Sequence, residues 1–329
     1  MRISRSLALP AAALAFALTL TACSSDAGDG DSADPSEAGG IVVTDMFGDV
    51  EVPANPQRVV ALGWSDAETA LALGVEPVGA SDWLGVGGNG LGPWVDESYD
   101  TDPTIVGTFD VDMESVAALA PDLILWTRST NDKAVYDQLS DIAPTVAAPP
   151  GTDVAYGTTW DGQTDIVAQA LGKVDEGKKL VDDTKALFDD TVSANPEFAN
   201  KTVAVGTLYS GQIGAYVRGD TRVDFLESLG LTNTPAVQNL AEPGAFSIEL
   251  SEENVAALDA DLTVMFPIGT GPEVITDNPS IQGLPSARDG RLVVLGDQNL
   301  SNAFSAASVA GTRYALENAV PLFAAPLKG

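Results

Sequence analysis

The chain has 329 residues, 47 of them acidic and 16 basic, with no histidine and one cysteine. A net charge of −31 repels nucleic acid and anionic lipid surfaces. Without an imidazole the chain has no Ser-His-Asp or Cys-His nucleophilic site and lacks the commonest ligand of zinc and other transition metals, and a lone cysteine leaves no internal disulfide.

Arg2 and Arg5 precede an apolar stretch from Leu7 to Leu20, and small residues lead up to Cys23 in the run Leu20-Thr21-Ala22-Cys23-Ser24. A basic start, a short apolar core and small residues at the cut predict a signal peptide over residues 1–22. Its apolar stretch of about 14 residues is shorter than the roughly 20 that a membrane-spanning helix needs. The run resembles the lipobox of bacterial lipoproteins. That resemblance implies cleavage before Cys23, lipidation of its sulfur, and a place on the outer face of the cell membrane, facing the periplasm where an outer membrane exists. Two acyl chains anchor stably where one binds marginally; the alternative is a secreted protein with a spare thiol. Residues 23–40 are nearly all Ser, Asp, Ala, Gly, Glu and Pro, too polar to offset ordering entropy, and predict a flexible tether. Loss of residues 1–22 leaves 14 basic and 47 acidic residues, a net charge of −33.

Beyond the tether, short apolar runs alternate with amphipathic ones. Arg58 to Gly63 predicts a buried strand, Asp66 to Leu73 a helix closed by Gly74, and Pro77 to Ser81 a strand. Met113 to Leu119 then reads as helix, Asp122 to Thr127 as strand, Asp132 to Ile142 as helix and Pro144 to Ala147 as extended chain. The alternation predicts an α/β lobe of parallel strands with crossover helices over residues 41–172. Gly63-Trp64-Ser65-Asp66-Ala67 mimics a nucleophile elbow, but no imidazole can take the serine's proton; Ser65 with Glu68 three residues on predicts a capping box instead. The cluster Gly85, Gly87, Gly88, Gly90 and Gly92 lacks the Lys-Ser/Thr of a phosphate loop and predicts a mobile loop.

Apolar residues at Leu180, Val181, Thr184, Leu187, Phe188 and Val192 have helical spacing within Val174 to Val192. Nineteen residues span roughly 28 Å, so a linking helix within 173–198 holds two lobes apart and predicts small closure on a ligand. The second lobe, 199–329, repeats the pattern: strand Thr202 to Tyr209, helices Arg222 to Leu229 and Glu252 to Leu258, and strands Asp261 to Phe266 and Arg291 to Leu295. Glu114-Ser-Val-Ala-Ala-Leu-Ala-Pro-Asp-Leu and Glu253-Asn-Val-Ala-Ala-Leu-Asp-Ala-Asp-Leu share seven of ten residues, which suggests that the lobes duplicate one architecture; convergence of helix-strand units on Ala, Leu and Asp is the alternative.

Several segments in order resemble the iron-siderophore and cobalamin substrate-binding lipoproteins of bacterial ABC importers. They are Pro53-Ala-Asn-Pro-Gln-Arg-Val-Val-Ala-Leu, Leu119-Ala-Pro-Asp-Leu-Ile-Leu, Leu139-Ser-Asp-Ile-Ala-Pro-Thr, Tyr156-Gly-Thr-Thr-Trp160 with Gln163-Thr164, and Gly290-Arg-Leu-Val-Val-Leu. The resemblance runs from about Val52 to Leu327. It implies the class III periplasmic-binding-protein fold, two Rossmann-like α/β lobes with parallel-rich sheets joined by one long helix. It also implies a monomer that catalyses nothing, needs no cofactor, captures an Fe(III)-siderophore complex and delivers it to ABC permease subunits. By motif, the permease-docking carboxylates fall on Glu114 and Glu253; plain helix capping is the alternative for both.

Ligands of open α/β sheets sit beyond the carboxyl ends of the strands. In the first lobe that rule selects Trp64, Trp83, Trp94, Trp126, Arg128, Tyr156 and Trp160. In the second it selects Tyr209, Arg218, Arg222, Phe246, Phe304 and Arg313. Aromatic walls suit a large, partly apolar chelate, and guanidinium groups suit the oxygens around ferric iron. Cobalamin or haem is the alternative ligand; a carboxylate-dependent hydrolase or a surface adhesin is the alternative from another class.

Overall fold

The computed structural model describes residues 40–328 apart from 84, 86, 87 and 109. The signal-peptide reading, Cys23 and the tether up to residue 39 lie outside the described residues, as does Gly87 of the glycine cluster. The described chain starts with an antiparallel hairpin, β1 (Ile41–Asp45) and β2 (Gly48–Val52), that the sequence reading leaves unassigned. One oxygen of the Asp45 carboxylate closes the turn by accepting from the Phe47 and Gly48 amides at 2.7 and 3.1 Å. The other accepts from the Ala147 amide at 2.8 Å and pins the hairpin to the first sheet.

That sheet is wholly parallel, in the order β5 (Thr104–Ile105), β4 (Gly79–Ala80), β3 (Val59–Ala61), β6 (Leu123–Leu125), β7 (Thr145–Val146). Alternate residues serve opposite layers. Val59, Leu123 and Leu125 pack under α1 (Asp66–Ala72) and α4 (Trp160–Ala170), while Val60 and Ile124 face α2 (Met113–Ala118) and α3 (Lys133–Ser140). A parallel sheet covered on both faces needs such uninterrupted apolar strands.

Helix α5 (Val174–Ala194) leads to the second lobe; its 21 residues make it about 30 Å long. It buries Val181, Thr184 and Phe188, while Leu187 and Val192, on the apolar stripe by periodicity, stay exposed. The second sheet runs β11 (Ser247–Leu250), β9 (Gln212–Tyr216), β8 (Thr202–Tyr209), β12 (Leu262–Ile268), β13 (Leu292–Val294), with β10 (Thr232–Asn233) also paired to β8. Here β9 and β11 are antiparallel, so this sheet is parallel only in part. Val203, Val205, Leu262 and Val264 face a core shared with α6 (Thr221–Ser228); Ala204, Leu208 and Met265 face the opposite layer. Four one-turn helices, α7 (Pro235–Gln238), α8 (Glu273–Thr276), α9 (Pro279–Gln282) and α10 (Pro285–Arg288), belong to the second lobe's loops. The chain ends with α11 (Gln298–Ala306), α12 (Val309–Asn318) and α13 (Val320–Ala324).

The α/β reading with two lobes and one joining helix therefore holds, with one local correction. Glu252 to Leu258 is not an α-helix but a turn followed by a single 3₁₀ turn, Val255–Leu258. In the first lobe the Asp112 carboxylate caps α2 through the Glu114 and Ser115 amides. Asn254, at the cap position before the 3₁₀ turn, makes no side-chain capping hydrogen bond.

The echoed segments do the same structural work in both lobes. Asp122 accepts from the Gln57 and Arg58 amides at 2.7 and 2.8 Å, just before β3 begins. Asp261 accepts from the amide and hydroxyl of Thr202, the first residue of β8, both at 2.9 Å. In each case the acid precedes the strand that pairs in parallel with the one it caps. Replacing Asp122 or Asp261 with Ala is expected to cost about 1–2 kcal/mol each, with the losses adding in the double variant, as read from urea unfolding.

Candidate functional site

At the end of β3 the chain turns through Gly63, Trp64 and Ser65 into α1. A Cβ on Gly63 would lie 2.3 Å from an Asp66 carboxylate oxygen and 2.8 Å from the Arg128 amide nitrogen, so only glycine fits. Asp66 is fully buried and accepts from the Gly63 amide at 2.9 Å, the Thr127 amide at 3.0 Å, the Gln163 side-chain amide at 2.8 Å and the Thr127 hydroxyl. These bonds join the ends of β3 and β6 to α4. Burial pushes the Asp66 carboxyl above its usual range, against the pull of those donors.

The capping box at Ser65 and Glu68 does not form. Ser65 takes a left-handed backbone conformation, φ 64°, and makes no cap bond; its buried hydroxyl donates instead to the Ala306 carbonyl in the second lobe. The buried Glu68 carboxylate accepts from the Gly92 amide at 3.1 Å, the Trp94 indole at 3.0 Å and the Ser308 hydroxyl, again across the lobes. What spacing presents as a helix cap is a joint between domains.

Arg128, just past β6, completes that joint. Its guanidinium is buried, donating to the Tyr156 carbonyl at 2.9 Å, the Ser305 carbonyl at 3.2 Å from both terminal nitrogens, the Thr221 hydroxyl at 3.0 Å and the Ala306 carbonyl. Burial, and then the charge of Arg222, lower its pKa to about 10, which leaves it cationic at neutral pH. Arg222 is held by Asp220 at 2.6 Å and lies 3.7 Å above the Tyr216 ring. The carbonyls that Arg128 grips belong to the break between α11 and α12, where Ala307 is left-handed at φ 51°.

A row of aromatic rings starts at this joint. Trp94 and Trp83 lie 6.4 Å apart, Trp83 and Trp64 stack at 5.6 Å, Trp64 and Tyr156 are 4.3 Å apart, and Tyr156 meets Phe246 of the second lobe edge-on at 6.4 Å. Trp64, Trp126, Tyr156 and Arg128 line a cavity of about 290 Å³ at the carboxyl ends of β3, β4 and β6, with Asp110, Ser129, Thr130 and Asp132 as polar neighbours. This is the position the strand-end rule selects.

The other expected site residues lie elsewhere. Trp83 and Trp94 are buried against Ala303 and Ala306, where α11 closes over them, so they serve as core. Trp160, the first residue of α4, stacks on Phe188 of α5 and lines a separate cavity of about 480 Å³ that Phe304 also borders. Phe304 is otherwise part of the second lobe's core. The Arg313 guanidinium donates to the Thr184 hydroxyl of α5 at 3.0 Å. Arg218 is exposed and paired with Glu227 at 2.9 Å, and Tyr209 stands exposed at the end of β8. Glu114 is exposed in the first turn of α2; Glu253 is exposed in the turn before Val255. Among the described residues no cluster of three His, Cys, Asp or Glu side chains could hold a metal ion. Sequence reasoning missed Asp66, Thr221 and Ser308; only the oddity of two acids in an otherwise apolar helix start signals the first.

Two α/β lobes on a single helical spacer, with a polar and aromatic cavity at the strand ends, define a substrate-binding protein of transport. The chain belongs to the periplasmic binding protein family, whose model matches residues 59–299. It is 31% identical over 257 residues, 76% of this chain and 75% of the relative, to "Probable siderophore-binding lipoprotein YfiY" of Bacillus subtilis (strain 168). Among solved structures it is similar to a periplasmic solute binding protein from Mycobacterium smegmatis str. MC2 155, with TM-score 0.75 and 29% identity over 88% of this chain and 99% of that one. It is also similar to Streptococcus pneumoniae TIGR4 PiaA in complex with ferrichrome, with TM-score 0.73 and 25% identity over the same shares.

The buried Glu68 carboxyl, like that of Asp66, is pushed up by burial. A raised folded-state pKa means that its stabilising contribution is fully present below the unfolded pKa, 4.5, and is lost as the pH rises through the folded value. The stability difference between Glu68→Gln and the parent should therefore shift in favour of the glutamine variant as pH rises from 4.5, measured by urea unfolding across a pH series.

Proposed function

We propose that this protein captures a ferric siderophore outside the cell membrane and delivers it to an ABC permease, as a monomer tethered through lipid on Cys23. The observation that carries the reading is the cavity at the strand ends. Trp64, Trp126 and Tyr156 line it with aromatic surface suited to the apolar shell of a chelate, beside the cationic Arg128. The siderophore brings iron's ligands with it, so the polypeptide need not supply any, in keeping with a chain that has no histidine. The named relatives, one a siderophore-binding lipoprotein and one solved with ferrichrome, support the same ligand class. Catalysis has no part in this reading: Ser65, in the elbow-like turn, spends its hydroxyl on the Ala306 carbonyl.

Titration of the mature protein with iron-loaded hydroxamate, catecholate and citrate chelates should quench tryptophan fluorescence saturably for at least one class. Trp64→Ala should weaken that affinity about tenfold or more, the loss typical of a buried aromatic anchor. Indifference to every chelate, or tight uptake of naked ferric ion instead, would sink the proposal.

Glu114 and Glu253 are proposed as the permease-docking pair, one on each lobe at corresponding positions of the echoed segments and free to meet arginines. Glu114→Ala combined with Glu253→Ala is expected to leave chelate affinity unchanged and to reduce iron uptake by whole cells. Lost affinity would contradict the docking role.

A further inference from the structure

The larger cavity, about 480 Å³, lies apart from the strand-end pocket and beside the spacer helix, between the starts of α4 and α6 and the pair α11 and α12. Its wall is a continuous aromatic row. Trp160 stacks on Phe188 at 6.0 Å, Phe188 meets Phe225 edge-on at 5.4 Å, and Phe225 meets Phe304 edge-on at 5.4 Å. Three carboxylates border it, Asp161, Asp189 and Asp224, against a single ammonium, that of Lys185. That ammonium is already committed, 2.9 Å from Asp161 and 6.0 Å from the Trp160 ring centre. Asp224 has no such cation. Its carboxylate accepts one long bond, 3.3 Å from the Gly219 amide, at the half-buried edge of the cavity.

We propose that this cavity binds an organic ammonium ion with an apolar body, the charge meeting Asp224 and the body lying along the aromatic row. The volume falls within the range of small-molecule sites, and a cation beside ring faces in a partly dry pocket is attracted by both the carboxylate and the π-systems. Lys185 over Trp160, beside Asp161, shows the same chemistry on the opposite wall. An anion would meet three carboxylates, and a neutral ligand would leave Asp224 without a counter-charge. Asp224 is pushed up to about 6, chiefly by burial, with Asp220 and Glu227 adding to the rise and Arg218 and the Gly219 amide opposing it. The remaining facing charges are Asp161, Lys185 and Asp189; α11 and α12 contribute none to the lining. Affinity for the cation should accordingly fall as the pH is lowered through about 6.

The test is calorimetric titration of the full mature chain with phenethylammonium and, separately, with phenethyl alcohol, its neutral counterpart. The ammonium is expected to bind roughly tenfold or more tightly than the alcohol, and Asp224→Asn, which keeps an acceptor for the Gly219 amide, to remove that preference. In the parent protein the Trp160 indole resonance should shift on titration while that of Trp126, in the strand-end pocket, does not; this second reading needs no variant. Equal affinity for the two probes, no binding at millimolar concentration, an undiminished preference in Asp224→Asn, or a shift confined to Trp126 would each overturn the proposal.

Discussion

A carboxylate withdrawn wholly from water is tolerated only where donors meet it from several sides, and Asp66 is met by two backbone amides, one side-chain amide and one hydroxyl. Those donors come from the ends of two neighbouring strands and from a helix distant in sequence, so one side chain fixes the geometry of the sheet's carboxyl edge. Trp64 and Arg128 are placed by it, the first because it sits inside the turn that Asp66 closes, the second because it follows the Thr127 amide that Asp66 holds. The orientation of the aromatic cavity depends on that buried carboxyl group.

From this edge the joint to the second lobe follows. Arg128, Ser65 and Glu68 all reach toward the short stretch from Ser305 to Ser308, where the backbone breaks between two helices. The Arg128 guanidinium is satisfied by main-chain carbonyls and the Thr221 hydroxyl rather than by a direct ion pair, while the charges of Asp220, Asp66 and Glu68 favour its protonated form. The spacer helix contributes from another side, where Thr184 accepts from Arg313, and it lines the second cavity with Lys185, Phe188 and Asp189.

Much of this arrangement is legible in the chain. Trp64, Trp126, Arg128 and Tyr156 follow from the strand-end rule because their strands are short, apolar and bounded by clear turns. Asp122 and Asp261 stand out through the echo, although the echo itself could not reveal that each acid caps the neighbouring strand. Trp83 and Trp94 read the same as Trp64 in local sequence; what separates them is that α11, more than two hundred residues away, closes over the first two. Ser65 and Glu68 have the spacing of a cap, and a left-handed serine, invisible in composition, sends both side chains across the lobes instead. Strand β11, Ser-Ile-Glu-Leu, alternates over only four residues and Gly214 interrupts β9, so the antiparallel pairs of the second sheet escaped the pattern.

The grip on residues 305 and 306 is made on carbonyl oxygens rather than on side chains. Every residue type offers that oxygen, so at these two positions the polar part of the clasp is written in Ser65 and Arg128 of the first lobe, while Thr221 and Ser308 supply the side-chain hydroxyls from the second. Side-chain identity still matters within the clasped stretch where Ala306 packs beneath Trp83 and Trp94 and where the Ser308 hydroxyl meets Glu68, so the join tolerates substitution at some of its positions and not at others.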